Sequence, residues 1–177
     1  IAVGSTPIVP KVPGIDKPHV HWAPDADTGK AQVGERTVVV GAGSVGVESA
    51  IALKREGKDV IIVEMAPDMR CLSASAGGVA MELMNIVEEL QIPIHLNRRL
   101  EEVTDSTVVC CDTETGEKVE FPADTVLLAV GMAARQDVAD SMRRCAPETE
   151  VFVVGDALQV GNISGAVRSA FKAAAYI

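Results

Sequence analysis

The sequence predicts an α/β fold, an open parallel β-sheet with helices on its faces and an antiparallel β excursion. Three observations carry this expectation. Between residues 36 and 96, apolar runs of strand length alternate with stretches of helical periodicity. The hydrophobic residues, 47% of the chain, are mostly aliphatic, with one Trp, one Tyr and three Phe, which suits a buried parallel sheet. From residue 100 to residue 130 the pattern changes to short β segments separated by turn residues.

The elements follow in order. Residues 5–35 hold Pro7, Pro10, Pro13, Pro18 and Pro24, so the chain there is extended or turning, with a short helix over 24–32. Residues 36–40 form a continuous apolar strand. Residues 44–56 have helical periodicity, and Gly57 stops them. Residues 59–63 form a second strand, ending at Glu64. Residues 73–90 read as one long helix, apolar at Val79, Leu83, Ile86, Val87 and Leu90, and 93–96 as a third strand. Residues 107–111 and 118–121 flank Thr113-Glu-Thr-Gly116 as a hairpin. A fully apolar strand over 124–130 is broken by Gly131. A short helix over 136–144, a strand over 150–154, Gly155-Asp156 and a helical stretch over 167–177 follow. Both ends read as cuts through secondary structure, so the chain is expected to be a piece of a larger protein.

Sixteen basic against 25 acidic residues leave a net charge of −9, which argues against nucleic acid as a partner, since phosphate contact needs a basic face. An anionic dinucleotide still fits an acidic protein, because backbone N–H groups and a helix N-terminus do the binding. None of the four cysteines, Cys71, Cys110, Cys111 and Cys145, stands in a CxxC or CxxxxC pair. Adjacent in a strand, Cys110 and Cys111 point to opposite faces as packing residues. Reduced thiols and no signal peptide point to the cytoplasm. The apolar runs fall well short of the ~20 residues that span a bilayer, so no membrane is expected. His19 and His21 form an HxH pair without a third ligand nearby, and no metal site is expected.

The motif that carries chemistry is Gly41-Ala-Gly43-Ser-Val-Gly46. Gly41 permits a tight turn out of the strand, Gly43 lets the backbone approach a pyrophosphate, and Gly46 lets the helix pack on the sheet. The helix then directs its N–H groups and positive dipole end at the phosphates. Alone, GxGxxG is a weak signal. Here it follows a strand, opens a helix and is followed by a second strand ending in an acid, which makes the unit a Rossmann-like βαβ. Glu64 stands 64 − 41 = 23 residues after the first glycine, near the ~20 expected of the acid that binds ribose hydroxyls. A carboxylate there accepts from a free 2′-OH and repels a 2′-phosphate, so NADH is expected over NADPH. Arg70 is the nearby cation able to favour NADPH, or a plain surface charge. Glu48, on the first turn of the helix, serves either the helix dipole or the nicotinamide end of the ligand.

Three further segments combine with the central motif. Ile1-Ala-Val-Gly-Ser-Thr-Pro7, with residues 10–14 behind it, resembles the ATGSxP segment that leads out of the FAD domain of two-dinucleotide flavoproteins. Val126-Leu-Leu-Ala-Val-Gly131 resembles the strand and glycine that close their NAD domain, and Val151-Phe-Val-Val-Gly155-Asp156 their second flavin-contacting motif. Together with GAGSVGVE, which matches the GxGxxGxE form, they resemble pyridine nucleotide-disulfide oxidoreductases over essentially the whole chain. Within that family the chain is most similar to the carboxyl-terminal part of NADH:flavin oxidoreductases of the 2,4-dienoyl-CoA reductase and 2-enoate reductase type.

The resemblance implies an NADH-binding domain of a flavin-dependent oxidoreductase that delivers hydride from NADH to FAD, the final acceptor being an enoate or dienoyl-CoA. It places Gly41, Gly43, Ser44, Val45 and Gly46 on the pyrophosphate, Glu64 on the ribose, Glu48 and Gly131 at the nicotinamide, and Asp156 on the ribityl chain of FAD. No side chain is required as a catalytic acid or nucleophile. It implies a FAD-domain tail and linker over 1–33, an NAD(P)-binding domain over 34–133 and a return segment to the FAD domain over 134–177. The partner implied is the rest of the parent flavoprotein, with its FAD domain and an FMN barrel and iron–sulfur module. The amino-terminal GxGxxG of the FAD domain and the CxxxxC dithiol are absent from these residues. The isolated piece is therefore expected to bind little or no FAD and to be inactive. Two other readings stay open: an NAD-sensing or interaction module without turnover, and FAD rather than NADH on the Gly41 loop. The flanking FAD-type segments count against the first, and the position of the loop after the ATGSxP-like segment counts against the second.

Overall fold

The computed structural model describes residues 1–176; Ile177, last residue of the expected closing helix and of the 134–177 segment, lies outside the described residues. The chain begins with two short strands, β1 (Ser5–Pro7) and β2 (Val20–Trp22), and a short helix, α1 (Ala23–Asp27). Strand β3 (Arg36–Val40), helix α2 (Ser44–Arg55) and strand β4 (Asp59–Val63) follow. Next come α3 (Arg70–Ala76), α4 (Ala80–Glu89) and β5 (Ile94–His95). Strands β6 (Arg98–Val103), β7 (Thr107–Asp112), β8 (Lys118–Pro122), β9 (Thr125–Leu128) and β10 (Met132–Ala134) lead to α5 (Gln136–Cys145) and α6 (Ile163–Ala174).

These elements form two compact units, Val9–Val130 and residues 1–8 with the chain from Gly131 on. In the larger unit, β2, β9, β3, β4 and β5 make one five-stranded sheet in that order, every pairing parallel. Strands β6, β7 and β8 make a separate antiparallel sheet. Side chains alternate along each strand, and the parallel sheet therefore feeds two cores. Val39, Ile62 and Leu127 pack with Val47, Ala50 and Ile51 of α2 and Val87 of α4. Val38, Val40, Val126 and Leu128 pack with Leu100, Val108, Cys110 and Phe121 of the antiparallel strands. Strands apolar on both sides need both faces covered. Helices cover one face here, and the antiparallel sheet covers the other. Each fully buried aliphatic side chain contributes roughly 1.5–3 kcal/mol of transfer free energy. Cys110 and Cys111 are both buried packing residues. Burial pushes the Cys110 thiol up to about 12, which leaves it inert.

Several expected elements change on folding. The helix expected over 73–90 is broken into α3, a 3-10 turn at Gly77–Val79, and α4, because Gly77 takes φ +55 and ends α3. The helix expected over 24–32 stops at Asp27, since Gly29 turns the chain at φ +71. Residues 150–154 form no strand. Their ladder consists of two bonds to one residue, from the Ile1 amino group to the Phe152 carbonyl and from the Val154 N–H to the Ile1 carbonyl. The last helix starts at Ile163 rather than 167, because the Asn162 side chain accepts from the Gly165 N–H and caps it. Strand β2, within residues 9–33, belongs to the same compact unit as residues 34–130. It hydrogen-bonds along β9 as the edge of the five-stranded sheet.

The starts of two neighbouring parallel strands, β3 and β9, are clamped by charge. The Arg36 guanidinium and backbone N–H, at the start of β3, both donate to Asp124, just before β9, at 2.5 to 3.2 Å. The guanidinium first, and then the backbone bond, hold the Asp124 carboxyl down at about 2. An acid with a lowered folded pKa adds stability that is present above its unfolded value of about 3.9 and disappears as pH falls toward about 2. Wild type should therefore exceed Asp124→Asn in urea midpoint at pH 6, and the gap should close between pH 4 and pH 2. The glycine at 46 is tested separately. A Cβ there would stand 2.0 Å from the Gly41 carbonyl oxygen, so Gly46→Ala should cost about 2 kcal/mol or more in equilibrium denaturation.

Candidate functional site

The site is built at the carboxyl end of β3. Gly41 leaves the strand at φ +106, with its N–H on the Val63 carbonyl, and the Ala129 carbonyl 2.5 Å from where a Cβ would be. Only glycine accepts both the positive φ and the contact. Gly46, in the first turn of α2, lies against the Gly41 carbonyl and the Ala129 methyl in the same way. These two close approaches press the start of α2 onto the sheet. Gly43 is its N-cap residue and has no side chain with which to cap it, so the amino end of the helix is not covered by a capping side chain at that position. Ser44 is half-buried and Val45 is 41% exposed at this end. The positive end of the helix dipole is thus presented on a turn that carries little side chain.

Glu64 is the acid that ends β4, and it is buried at 8% exposure. Its carboxylate spans the turn, with Oε2 accepting from the Ala42 N–H at 2.8 Å and Oε1 from the Ala66 N–H at 2.9 Å. The Cys71 thiol reaches the Ala42 carbonyl at 3.4 Å and Glu64 Oε2 at 3.8 Å. Burial first, then the Glu64 charge, pushes that thiol up. Each carboxylate oxygen has a second lone pair, so Glu64 can hold the loop and still accept from a ligand hydroxyl. The arrangement is a glycine cradle, a helix N-terminus and an acid fixed beside it. It suits an anionic diphosphate with a diol next to it, and it offers no nucleophile.

The other expected residues fall elsewhere. Glu48 is exposed on α2, on a ridge with Ala52 and Glu56 one and two turns on. With Asp27 and Lys58 these line a cleft of about 570 Å³ to which no residue of the Gly41–Gly46 turn contributes. Gly131 and Asp156 belong to the smaller unit. There Gly131 takes φ +97 and its carbonyl accepts from the Ile8 N–H, where β1 pairs antiparallel with β10. Asp156 sits on a 3-10 turn, Gly155–Ala157, and its carboxylate accepts from Ser5 Oγ and the Gly161 N–H, both at 3.2 Å. Two of the flavin-type segments named above, 151 residues apart, thus meet through a Ser5–Asp156 hydrogen bond. They line a cleft of about 390 Å³ together with Gly4, Asn162 and Ile163. His19 and His21 line a third cleft with Asp124 and Thr125, and no group of three metal-binding side chains occurs among the described residues.

Sequence reasoning missed Cys71, Ser5 and Asn162. Asn162 had a legible signal, an Asn three residues before the glycine it caps. For Cys71 and Ser5 there was none, because each acts on a residue brought close only by the fold.

Similarity to known proteins runs over most of the chain. A family model described as pyridine nucleotide-disulphide oxidoreductase matches residues 1–170. The chain is 31% identical to cinnamate reductase of Clostridium sporogenes, over 98% of this chain and 25% of that protein. It is 32% identical to NADH oxidase of Thermoanaerobacter brockii, over 98% of this chain and 27% of that one. Among solved structures, 2-naphthoyl-CoA reductase in complex with 2-naphthoyl-CoA superposes with a TM-score of 0.82 at 27% identity, covering 97% of this chain and 26% of that one. The chain thus spans about a quarter of the length of these relatives. No helix among the described residues is long and apolar enough to cross a membrane.

The bonds of Glu64 make it a strut as well as a candidate ligand contact. Glu64→Ala should lower unfolding stability by about 1–3 kcal/mol for the buried Ala42 N–H alone. Glu64→Gln, which keeps one acceptor oxygen, should fall between. Equal denaturation midpoints for all three proteins would remove the strut.

Proposed function

The chain belongs to the pyridine nucleotide-disulphide oxidoreductase family, and on that premise we propose that it is the NADH-binding part of a flavin-dependent oxidoreductase. The observation that carries the reading is the Gly41–Gly46 turn with the Glu64 carboxylate fixed beside it. The space that a Cβ at Gly41 or Gly46 would fill is taken by backbone, and no side chain larger than valine is carried on the turn. That fits a diphosphate held by main-chain N–H groups.

In this reading Gly41, Gly43, Ser44, Val45 and Gly46 hold the pyrophosphate and Glu64 the ribose hydroxyls. Glu48 and Gly131 line the nicotinamide end, and Asp156 holds the ribityl chain of a flavin. Bound together, the two cofactors supply hydride transfer from nicotinamide to flavin. What this chain's residues contribute is binding and orientation, and no proton need be held or moved by a side chain in that half-reaction. Residues 34–133 are assigned to the nucleotide-binding part, and the pairing of β2 with β9 supports extending it back to Val9. Residues near the two ends, including Ser5 and Asp156, are assigned to a FAD domain completed by the rest of the parent protein.

In this reading the final acceptor is an enoate or dienoyl-CoA, and the presence of cinnamate reductase and 2-naphthoyl-CoA reductase among the relatives supports it. Its reduction would occur on other modules of the parent, of the FMN and iron–sulfur kind. The buried carboxylate at the ribose position favours NADH, since a 2′-phosphate would be forced against a negative charge held in low dielectric. Calorimetric titration of the purified chain tests both points. NADH should bind at least about tenfold tighter than NADPH, a difference of ~1.4 kcal/mol. Equal affinity would remove Glu64 from the ribose role, and binding of neither would count against the site.

A further inference from the structure

The turn between β4 and α3 carries a cation as well as the ribose acid. Arg70 opens α3, and the next residue, Cys71, touches the Ala42 carbonyl and Glu64 Oε2. Arg70 is therefore one residue away from a side chain that touches both the loop and the acid. Free in that place, a guanidinium would offer a planar fork to a phosphate on the ribose. It is not free. Arg70 Nε lies 2.7 Å from Asp68 Oδ2, and the Arg70 backbone N–H donates to Asp68 Oδ1 at 3.1 Å. One carboxylate thus holds residue 70 by both main chain and side chain, while the rest of the side chain stands in solvent at 85% exposure. The guanidinium in turn holds the Asp68 carboxyl below its usual range, first by the side-chain bond and then through the backbone.

Resting on the NADH reading of the loop, we propose that Asp68 is a specificity-determining residue. It engages Arg70 so that a 2′-phosphate meets two carboxylates, Glu64 and Asp68, and a guanidinium already neutralised. Selectivity then has two layers. Glu64 repels the phosphate directly, and Asp68 withholds the one cation on the turn that could compensate. Asp68 needs no contact with the ligand to do this, so it acts through Arg70 as a positioning residue. An exposed ion pair is a weak hold, so the effect is a few-fold change and not orders of magnitude.

The experiment is calorimetric titration of the full chain with NADH and with NADPH, for wild type, Asp68→Asn, Arg70→Ala and the double variant. Asp68→Asn should shift the ratio of the two dissociation constants toward NADPH by roughly three- to tenfold. The gain should shrink at about 0.5 M salt, where the Debye length falls to a few ångströms. Arg70→Ala and the double variant should stay near the wild-type ratio, because the shift requires a released guanidinium. An unchanged ratio in Asp68→Asn overturns the proposal, and so does a gain that survives in the double variant. If wild type binds NADH and shows either result, only the role of Asp68 fails. If wild type binds neither dinucleotide, the reading of the loop fails and takes this proposal with it.

Discussion

The contact on which the larger unit depends is that of the Gly46 α-carbon with the Gly41 carbonyl. A single methyl at position 46 would stand 2.0 Å from that oxygen, so the distance between helix and sheet is set by the absence of a side chain. Because α2 lies that close, Val47, Ala50 and Ile51 are buried at 0 to 5% exposure against β3, β4 and β9. The same closeness brings the amino end of α2 directly over the end of β3. The packing constraint and the candidate binding feature are therefore one piece of geometry. A larger residue at 46 would lift the helix and displace the turn with it.

Glu64 carries a second obligation. A carboxylate buried at 8% exposure is costly unless its lone pairs are filled. Here the Ala42 and Ala66 N–H groups fill one on each oxygen. The acid thereby links the loop after β3 to the end of β4, in addition to the ladder between the two strands. A residue that braces the loop in this way cannot be exchanged without a cost in stability. The neighbouring Asp68–Arg70 pair is exposed and holds only the start of α3, so a change of charge there disturbs less of the loop.

The smaller unit shows a different economy. Its segments from the two ends of the chain are joined by the β1–β10 pairing, by the two bonds between Ile1 and residues 152 and 154, and by Ser5 with Asp156. Long stretches of α6 stay in water, with Ile163, Val167 and Phe171 at 62 to 84% exposure. The larger unit, in contrast, closes two cores around one sheet.

Much of this was legible in the residues themselves. Local chemistry suffices for the βαβ unit: the apolar run 36–40, the glycines at 41, 43 and 46, and an acid 23 residues after the first glycine. Each of those signals reports a constraint within one turn or one strand, and β3, α2 and β4 appear within a residue of their expected bounds. That an antiparallel sheet, and not helices, covers one of the two faces was beyond reach, because a strand buried on both sides reads as the same apolar run under a helix or under another sheet. Only tertiary packing set the antiparallel strands against Val38, Val40, Val126 and Leu128. For the same reason β2 could not be read: three residues carry no periodicity, and its strand state comes from hydrogen bonds to β9, more than 100 residues away in the chain. The candidate site divides likewise. The identity of Glu64 followed from spacing along the chain. Its bond to the Ala42 N–H, the approach of Cys71 and the meeting of Ser5 with Asp156 followed from distances across it, which no local pattern encodes.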